Sequence, residues 1–345
     1  MTSRISTRAI VTFIMICAGA IAWNLQVAGA IAQGGQQVKI PPTSDYQFRK
    51  DYAAVEEIKA KETDIQKRAE VLLNWVKANP ESRAIPNAAF LYGEAVAVAM
   101  KAGDAQKALS MIQTFQGVAP KDTTLLTYQM ESYAMTKNWP KTAEIAEKIY
   151  AGSPSLVLEN QLAGIYLQMG NADKYVFYAE KVMAQVPIDK TYSMALQVAQ
   201  IYAQKRNMEK AIEYFSKVMD VYGDKVPAGV KEADWNVTRS IAFGVLAADA
   251  YQKKDLPKAM ELYDKVTRFN PKSEDAWYFI GMAKWQGKDQ KGAIEPLAKA
   301  AVINGKTYSP KAKEYLEQLW KAEHNGSLDG LDAVLAKAKT DLGIV

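Results

Sequence analysis

The sequence predicts an all-α protein made of antiparallel helix pairs that repeat along the chain. Three observations carry that prediction. Prolines recur where amphipathic stretches end, Asp or Asn residues recur just before such stretches begin, and successive pairs are spaced near 34 residues apart. The composition agrees: 49% hydrophobic and 23% charged residues, rich in Ala, Leu, Lys and Glu, suit a folded helical chain rather than a disordered one.

The first element reads as an export signal. Arg4 and Arg8 precede an apolar run from Ala9 to Ala22, and small residues follow as Ala28-Gly29-Ala30 and Ala30-Ile31-Ala32. Cleavage is expected after Ala30 or Ala32, so residues 1–32 form the signal peptide. The alternative is an uncleaved anchor over residues 9–32, which are long enough to cross a bilayer. Asn24 and Gln26 count against the anchor. Either way the chain is exported, to the periplasm or outside the cell, and only an uncleaved segment would hold it to a membrane. Residues 33–45, with Gly34, Gly35, Pro41 and Pro42, read as a flexible lead-in.

Cys17 is the only cysteine and lies in the export segment, so a processed chain has no thiol for a disulfide, a zinc site or nucleophilic catalysis. Processing also removes Arg4 and Arg8, leaving 41 basic against 38 acidic residues. That balance, with Lys and Glu interspersed along each helix, excludes the basic face that binds nucleic acid.

Residues 46–307 hold the repeats, about seven helix pairs. Asn79-Pro80, Ala119-Pro120, Ser153-Pro154, Val186-Pro187 and Asn270-Pro271 mark where helices stop, because proline cannot continue one. Asp104, Asn138, Asn171, Asn207, Asp255 and Asp289 mark where second helices start, as N-caps that accept from otherwise unbonded backbone N–H groups. These caps place pairs beginning near Ala89, Thr123, Leu156, Tyr192, Ser240 and Glu274, after a less regular pair over 50–79. One step is longer by 14 residues, Val226 to Arg239, and from Lys231 onward it reads as an extension of the next first helix.

Residues within these pairs resemble the tetratricopeptide repeat family. The repeat from Glu274 supplies Trp277, Ile280, Gly281, Ala293, Leu297 and Ala300; the one before it supplies Phe243, Leu246, Ala247, Ala259, Tyr263 and Pro271. Tyr202, Ala211 and Phe215 fit in a third repeat, and Tyr133 and Tyr166 in two others. The resemblance implies a right-handed superhelical solenoid, in which small residues let two helices approach and large ones fill the space beside them. Thr142 and Tyr175 replace the small residue of the second helix, so those pairs are expected to sit apart or tilted.

Residues 308–345 read as a C-terminal capping helix pair. Ser309-Pro310 looks like an N-cap and first turn, Tyr315, Leu316, Leu319 and Trp320 follow, and Asn325-Gly326-Ser327 turns the chain. Leu328, Leu331, Val334, Leu335, Ala338 and Leu342 then form one apolar stripe that would close the stack. This segment resembles the C-terminal helices of exported bacterial tetratricopeptide proteins.

Catalytic constellations are not apparent, so the chain does not read as an enzyme. The mature chain has one histidine, His324, placed at a helix end where it suits the helix dipole, and no phosphate loop, nucleophile elbow or metal-ligand spacing occurs. No cofactor is expected. Glu144, Glu147, Glu209, Glu213 and Glu261 fall beside lysines and read as solvated faces, as do Lys107, Lys141, Lys174, Lys210 and Lys258.

The family resemblance implies that first helices line a concave, partner-binding face. Carried over by position, that face holds Tyr128, Glu131, Asn160, Gln161, Gln168, Gln197, Gln200, Gln204, Tyr251, Gln252, Tyr278, Met282, Trp285 and Gln286. Four successive repeats place Gln at one position, after Lys101 and Met135 in the earlier ones. Amides there can both donate to and accept from a peptide backbone. The Lys and Asn clamp for a C-terminal carboxylate is absent. The expected function is a protein-interaction scaffold of the cell envelope with a protein or peptide partner. Alternatives are a structural subunit or chaperone-like holdase of an envelope assembly, or a cell-wall enzyme or carbohydrate-binding module.

Overall fold

The computed structural model describes residues 46–344, and the export segment and lead-in read above lie outside them. Among the described residues there are sixteen α-helices and no strand. They fall into two compact units, one ending at Gln185 and the other starting at Val186. The first unit holds α1 (Tyr46–Lys61), α2 (Ile65–Ala78), α3 (Ile85–Lys101), α4 (Ala105–Val118), α5 (Leu126–Met135), α6 (Trp139–Gly152), α7 (Leu156–Gln168) and α8 (Ala172–Met183). The second holds α9 (Ile188–Gln204), α10 (Met208–Tyr222), α11 (Glu232–Gln252), α12 (Leu256–Phe269), α13 (Glu274–Gln286), α14 (Gln290–Val302), α15 (Ser309–Glu323) and α16 (Leu331–Asp341). Within each unit the helices pack in succession as far as α15, giving seven tetratricopeptide-like pairs, and the two final helices, α15 and α16, both lie on α14.

One backbone device makes every turn inside a regular pair. The six caps read from the sequence all accept a backbone N–H three residues on, as when Lys107 N–H donates to Asp104 Oδ1 at 2.9 Å. The residue before each cap is left-handed: Gly103, Lys137, Gly170, Arg206, Lys254 and Lys288 have φ between 56° and 77°. That twist turns the cap's own N–H back to the preceding helix, as from Asn138 to Tyr133 O and from Asn207 to Tyr202 O, each 2.9 Å. The result is a Schellman closure fused to an N-cap.

Small-against-large packing follows the repeat pattern. Ala259 and Ala293 are fully buried, and a Cβ on Gly281 would stand 2.7 Å from Leu297 Cγ, so only glycine lets α13 meet α14 there. The first unit has a core of Val55, Leu72, Val76, Ala88, Val96, Ile112 and Phe115, and the last helices share one built on Leu297, Leu316, Leu319 and Leu331. Each large side chain buried this way stabilises its unit by about 1.5–3 kcal/mol.

The inserted segment lengthens α11 as its sequence suggests, with Lys231 as N-cap. Trp235 is buried and its Nε1–H donates to Tyr222 O at 3.2 Å, while Arg239 lies over the Phe269 ring at 4.0 Å and donates to Gly223 O. The insertion is thereby tied to the end of α10 and to α12.

Several expectations need correction. First helices begin at Ile85, Leu126 and Ile188 rather than near Ala89, Thr123 and Tyr192, with Ile85 and Leu126 buried in the first turn of theirs. Pro187 does not stop α8, which ends at Met183; it is the residue from which α9 starts. Ser309 is not the cap of α15. Tyr308 holds that position, and the cap group is the Glu274 carboxylate, which accepts from Tyr308 N–H at 3.1 Å and from Ser309 N–H and Oγ–H at 2.9 Å each. Leu328 is exposed ahead of α16, whose buried side starts at Leu331 after left-handed Gly330.

Glu147 is no solvated-face residue, and Lys174 is not merely a solubility feature. The Glu147 carboxylate, on α6, accepts from Tyr166 Oη–H of α7 at 2.7 Å and from Tyr178 Oη–H and Lys174 Nζ–H of α8 at 2.6 and 2.8 Å. Burial pushes its pKa up, but the hydrogen bonds from Lys174, Tyr178 and Tyr166 together outweigh burial and hold the carboxyl below its ordinary range. In the two departing pairs Thr142 and Tyr175 are buried, and the Thr142 hydroxyl is absorbed by Asn138 O at 2.9 Å.

Candidate protein-binding surface

First helices present one side to their second helix and the next pair, leaving the other side outward. In the second unit each regular first helix ends with an exposed amide: Gln204 closes α9, Gln252 closes α11 and Gln286 closes α13. Gln197 and Gln200 are half-buried on α9. Gln286 is engaged, its Nε2–H donating to Tyr251 Oη at 2.6 Å, so amide and phenol from neighbouring repeats form one polar unit. Burial raises the Tyr251 pKa, keeping that hydroxyl neutral.

Aromatic residues there serve packing as well as surface. Tyr251 meets Phe279 edge to face at 5.0 Å, and Trp285 meets Tyr315 of α15 at 5.3 Å. Met282 packs partly buried against the core of the last helices. Tyr278 is only 8% exposed, stacked on Tyr308 with ring centres 5.0 Å apart, so it supports this surface from beneath rather than forming it.

The first unit is built differently. Asn160 and Gln168 are exposed and Gln161 is half-buried on α7. On α5, Tyr128 and Glu131 are half-buried one turn apart. The Tyr128 ring lies against α3, where a Cβ on Gly93 would stand 2.9 Å from its Cε2. Burial raises both the Glu131 carboxyl and the Tyr128 phenol; the carboxylates of Glu131 and Glu94 push the phenol further.

Three residues of this surface escape position-by-position transfer. Phe90 is 50% exposed, Val98 44% and Val157 69%, beside Met135, which the transfer places at the Gln position and which is 44% exposed. The signal available for two of them is the composition of α3. Leu91, Tyr92, Ala95, Val96 and Ala99 already fill a buried face, so Phe90 and Val98 are apolar residues in excess of what one face takes.

Clefts also open elsewhere. One of about 250 Å³ lies in the first unit beside Leu109, Gln113 and Tyr133. Another of about 330 Å³ lies in the second, with Met219, Phe243 and Leu246 beside Asp220, Asp249 and Lys253. His324 is exposed and stacked on Trp320 with ring centres 3.9 Å apart. Among the described residues, no three His, Cys, Asp or Glu side chains gather as a metal site. No described helix is long and apolar enough to cross a membrane.

Neither protein-family models nor curated proteins give a match to this chain. Solved structures do. MamA of AMB-1 is 14% identical, with 54% of this chain and 96% of that one covered at a TM-score of 0.38. PilF of Pseudomonas aeruginosa is 10% identical, with 64% and 95% covered at 0.36. A tetratricopeptide repeat protein from Parabacteroides merdae is 14% identical, with 80% and 99% covered at 0.33.

Proposed function

We propose that this chain is a protein-binding scaffold of the cell envelope, holding a partner peptide or protein on the outward sides of its first helices. The observation that carries the reading is the α3–α5 surface, where Phe90, Val98 and Met135 stay exposed in a chain whose other large apolar residues are mostly buried. Clustered exposed apolar residues commonly mark an interaction site. The exposed amides of Gln204 and Gln252 suit the same use, because each can pair with a peptide backbone without reading its side chains. Export rests on Arg4, Arg8 and the apolar run that follows, and N-terminal sequencing of the mature protein should begin at Ile31 or Gln33.

The binding test is crosslinking in living cells from a photoreactive residue at Val98 or Gln204, with Lys148 on α6 as control. A discrete partner captured from the first-helix positions and not from Lys148 supports the scaffold. Capture of many unrelated unfolded proteins would mean a holdase. Capture from Lys148 alone would overturn the surface assignment. The cleft beside Phe243 and Leu246 favours a second reading, a structural subunit that docks through its second-helix side. Under that reading Ser216→Arg, on the second helix α10 where it lines that cleft, breaks assembly and Val98→Ser leaves it intact.

A further inference from the structure

The α3–α5 surface carries a chemical signature more specific than exposed apolar area. On α3, Phe90, Glu94 and Val98 stand at successive four-residue steps and so line one side of the helix. On α5, Tyr128, Glu131 and Met135 line another at steps of three and four. Gly93 brings the two rows together by letting the Tyr128 ring lie on α3. Each row is therefore apolar or aromatic at its ends or edge and carries a carboxylate in its middle.

The two carboxylates differ. Glu94 is bound by the buried Arg68 of α2, whose other terminal nitrogen donates to Glu62 O at 3.2 Å, so its charge is matched. Glu131 is half-buried, yet among the described residues it has no hydrogen-bond or ion-pair partner, and neither has the Tyr128 hydroxyl beside it. Partly desolvated carboxylates without a cation are costly, and a cation arriving from outside removes that cost. An aromatic ring next to the carboxylate adds a second attraction for the same kind of group.

We propose that the surface seats a Lys or Arg side chain of a partner segment between Tyr128 and Glu131, with apolar neighbours of that residue on Phe90, Val98 and Met135. This rests on the reading of the first-helix side as the partner-binding side. Spacing then defines the segment. Four residues of helix rise about 6 Å, and two residues of extended chain span about 6.6 Å. An extended segment of the form apolar, any, basic, any, apolar therefore meets Phe90, the carboxylates and Val98 in step.

Panning a phage library of random twelve-residue peptides on the purified mature chain tests this, with the Glu131→Gln variant panned in parallel. The wild type should enrich peptides with Lys or Arg flanked two residues away by apolar residues, and Glu131→Gln should lose that enrichment while keeping its melting temperature. For one enriched peptide, replacing Arg with citrulline should weaken binding roughly tenfold. On Glu131→Gln the same replacement should change almost nothing. Enriched peptides without a basic residue, sensitive to Val98→Ser, would overturn the cationic anchor and leave the binding surface standing. Equal citrulline effects on both proteins would also overturn the anchor. Enrichment of nothing would remove the anchor together with peptide binding on this face.

Discussion

Asn138, Asn171 and Asn207 each close one helix and open the next, the backbone N–H serving the first and the side-chain oxygen the second. Removing only the side chain separates the two roles. Asn207→Ala should cost about 1 kcal/mol in urea unfolding, the ordinary loss for an N-cap. The residue before each cap makes the opposite prediction. Arg206 and Lys254 have φ of 62° and 63°, a region that side chains with a Cβ resist. Arg206→Gly should therefore be neutral or stabilise by up to ~1 kcal/mol, unlike most glycine substitutions. Glu147 gives a pH-dependent case. Its folded pKa is depressed, so its stabilisation is full above the unfolded value of about 4.3 and is lost as pH falls through the folded pKa. The stability gap between wild type and Glu147→Gln should be open at neutral pH and close as acid protonates the carboxylate. A gap that widens in acid would mean that the three hydrogen bonds do not favour the charged form. The caps were legible because Asp or Asn before an amphipathic stretch is a local signal. Glu147 was not, because its partners Tyr166, Lys174 and Tyr178 lie on two later helices.

Helix ends show the same division between local and distant causes. The six regular turns could be placed from sequence because every bond in them joins residues close in the chain. The start of α15 could not, since Glu274 reaches its N–H groups from 34 and 35 residues away. A Ser-Pro pair reads as cap and first turn, but a carboxylate is the stronger acceptor at a helix N-terminus, and it has moved the boundary by one residue. Glu274→Ala leaves the Tyr308 and Ser309 N–H groups without that acceptor, a loss of about 1–3 kcal/mol. Hydrogen exchange should locate the effect. Amides of α15 should exchange faster while those of α9 and α10 stay protected, and uniform acceleration across the second unit would contradict a local cap. Packing within a pair is the more legible part of the fold, because small residues recur in register. Ala293 is fully buried where α14 faces α13, so Ala293→Trp should cost ~1–3 kcal/mol through overpacking.

At the scale of the whole molecule, the repeated pattern told of pairs, their number and the helical cap, since each is a periodic or terminal signal. Which outward positions are free to bind was less legible, because exposure depends on what neighbouring repeats take. Tyr278 and Trp285 hold equivalent surface assignments by position, yet Tyr308 and Tyr315 take up their rings to different depths. Phe90 and Val98 show the converse, apolar residues that no neighbour takes. Repeat stacks are stabilised mainly by contacts between neighbours, so an end repeat stripped of its cap exposes an apolar face. Here that face belongs to α14, where Leu297, Ala298 and Ala300 are buried with Leu316, Leu319 and Leu331 of the two last helices. Ending the chain after Val302 would expose this core and leave Glu274 without its N–H partners. The truncated protein should bind a hydrophobic dye and melt at lower temperature, with exchange protection lost first in α13 and α14. If α13 and α14 stayed protected without α15 and α16, the final pair would be an appendage rather than a cap, and its own outward surface would become the next place to look for a partner.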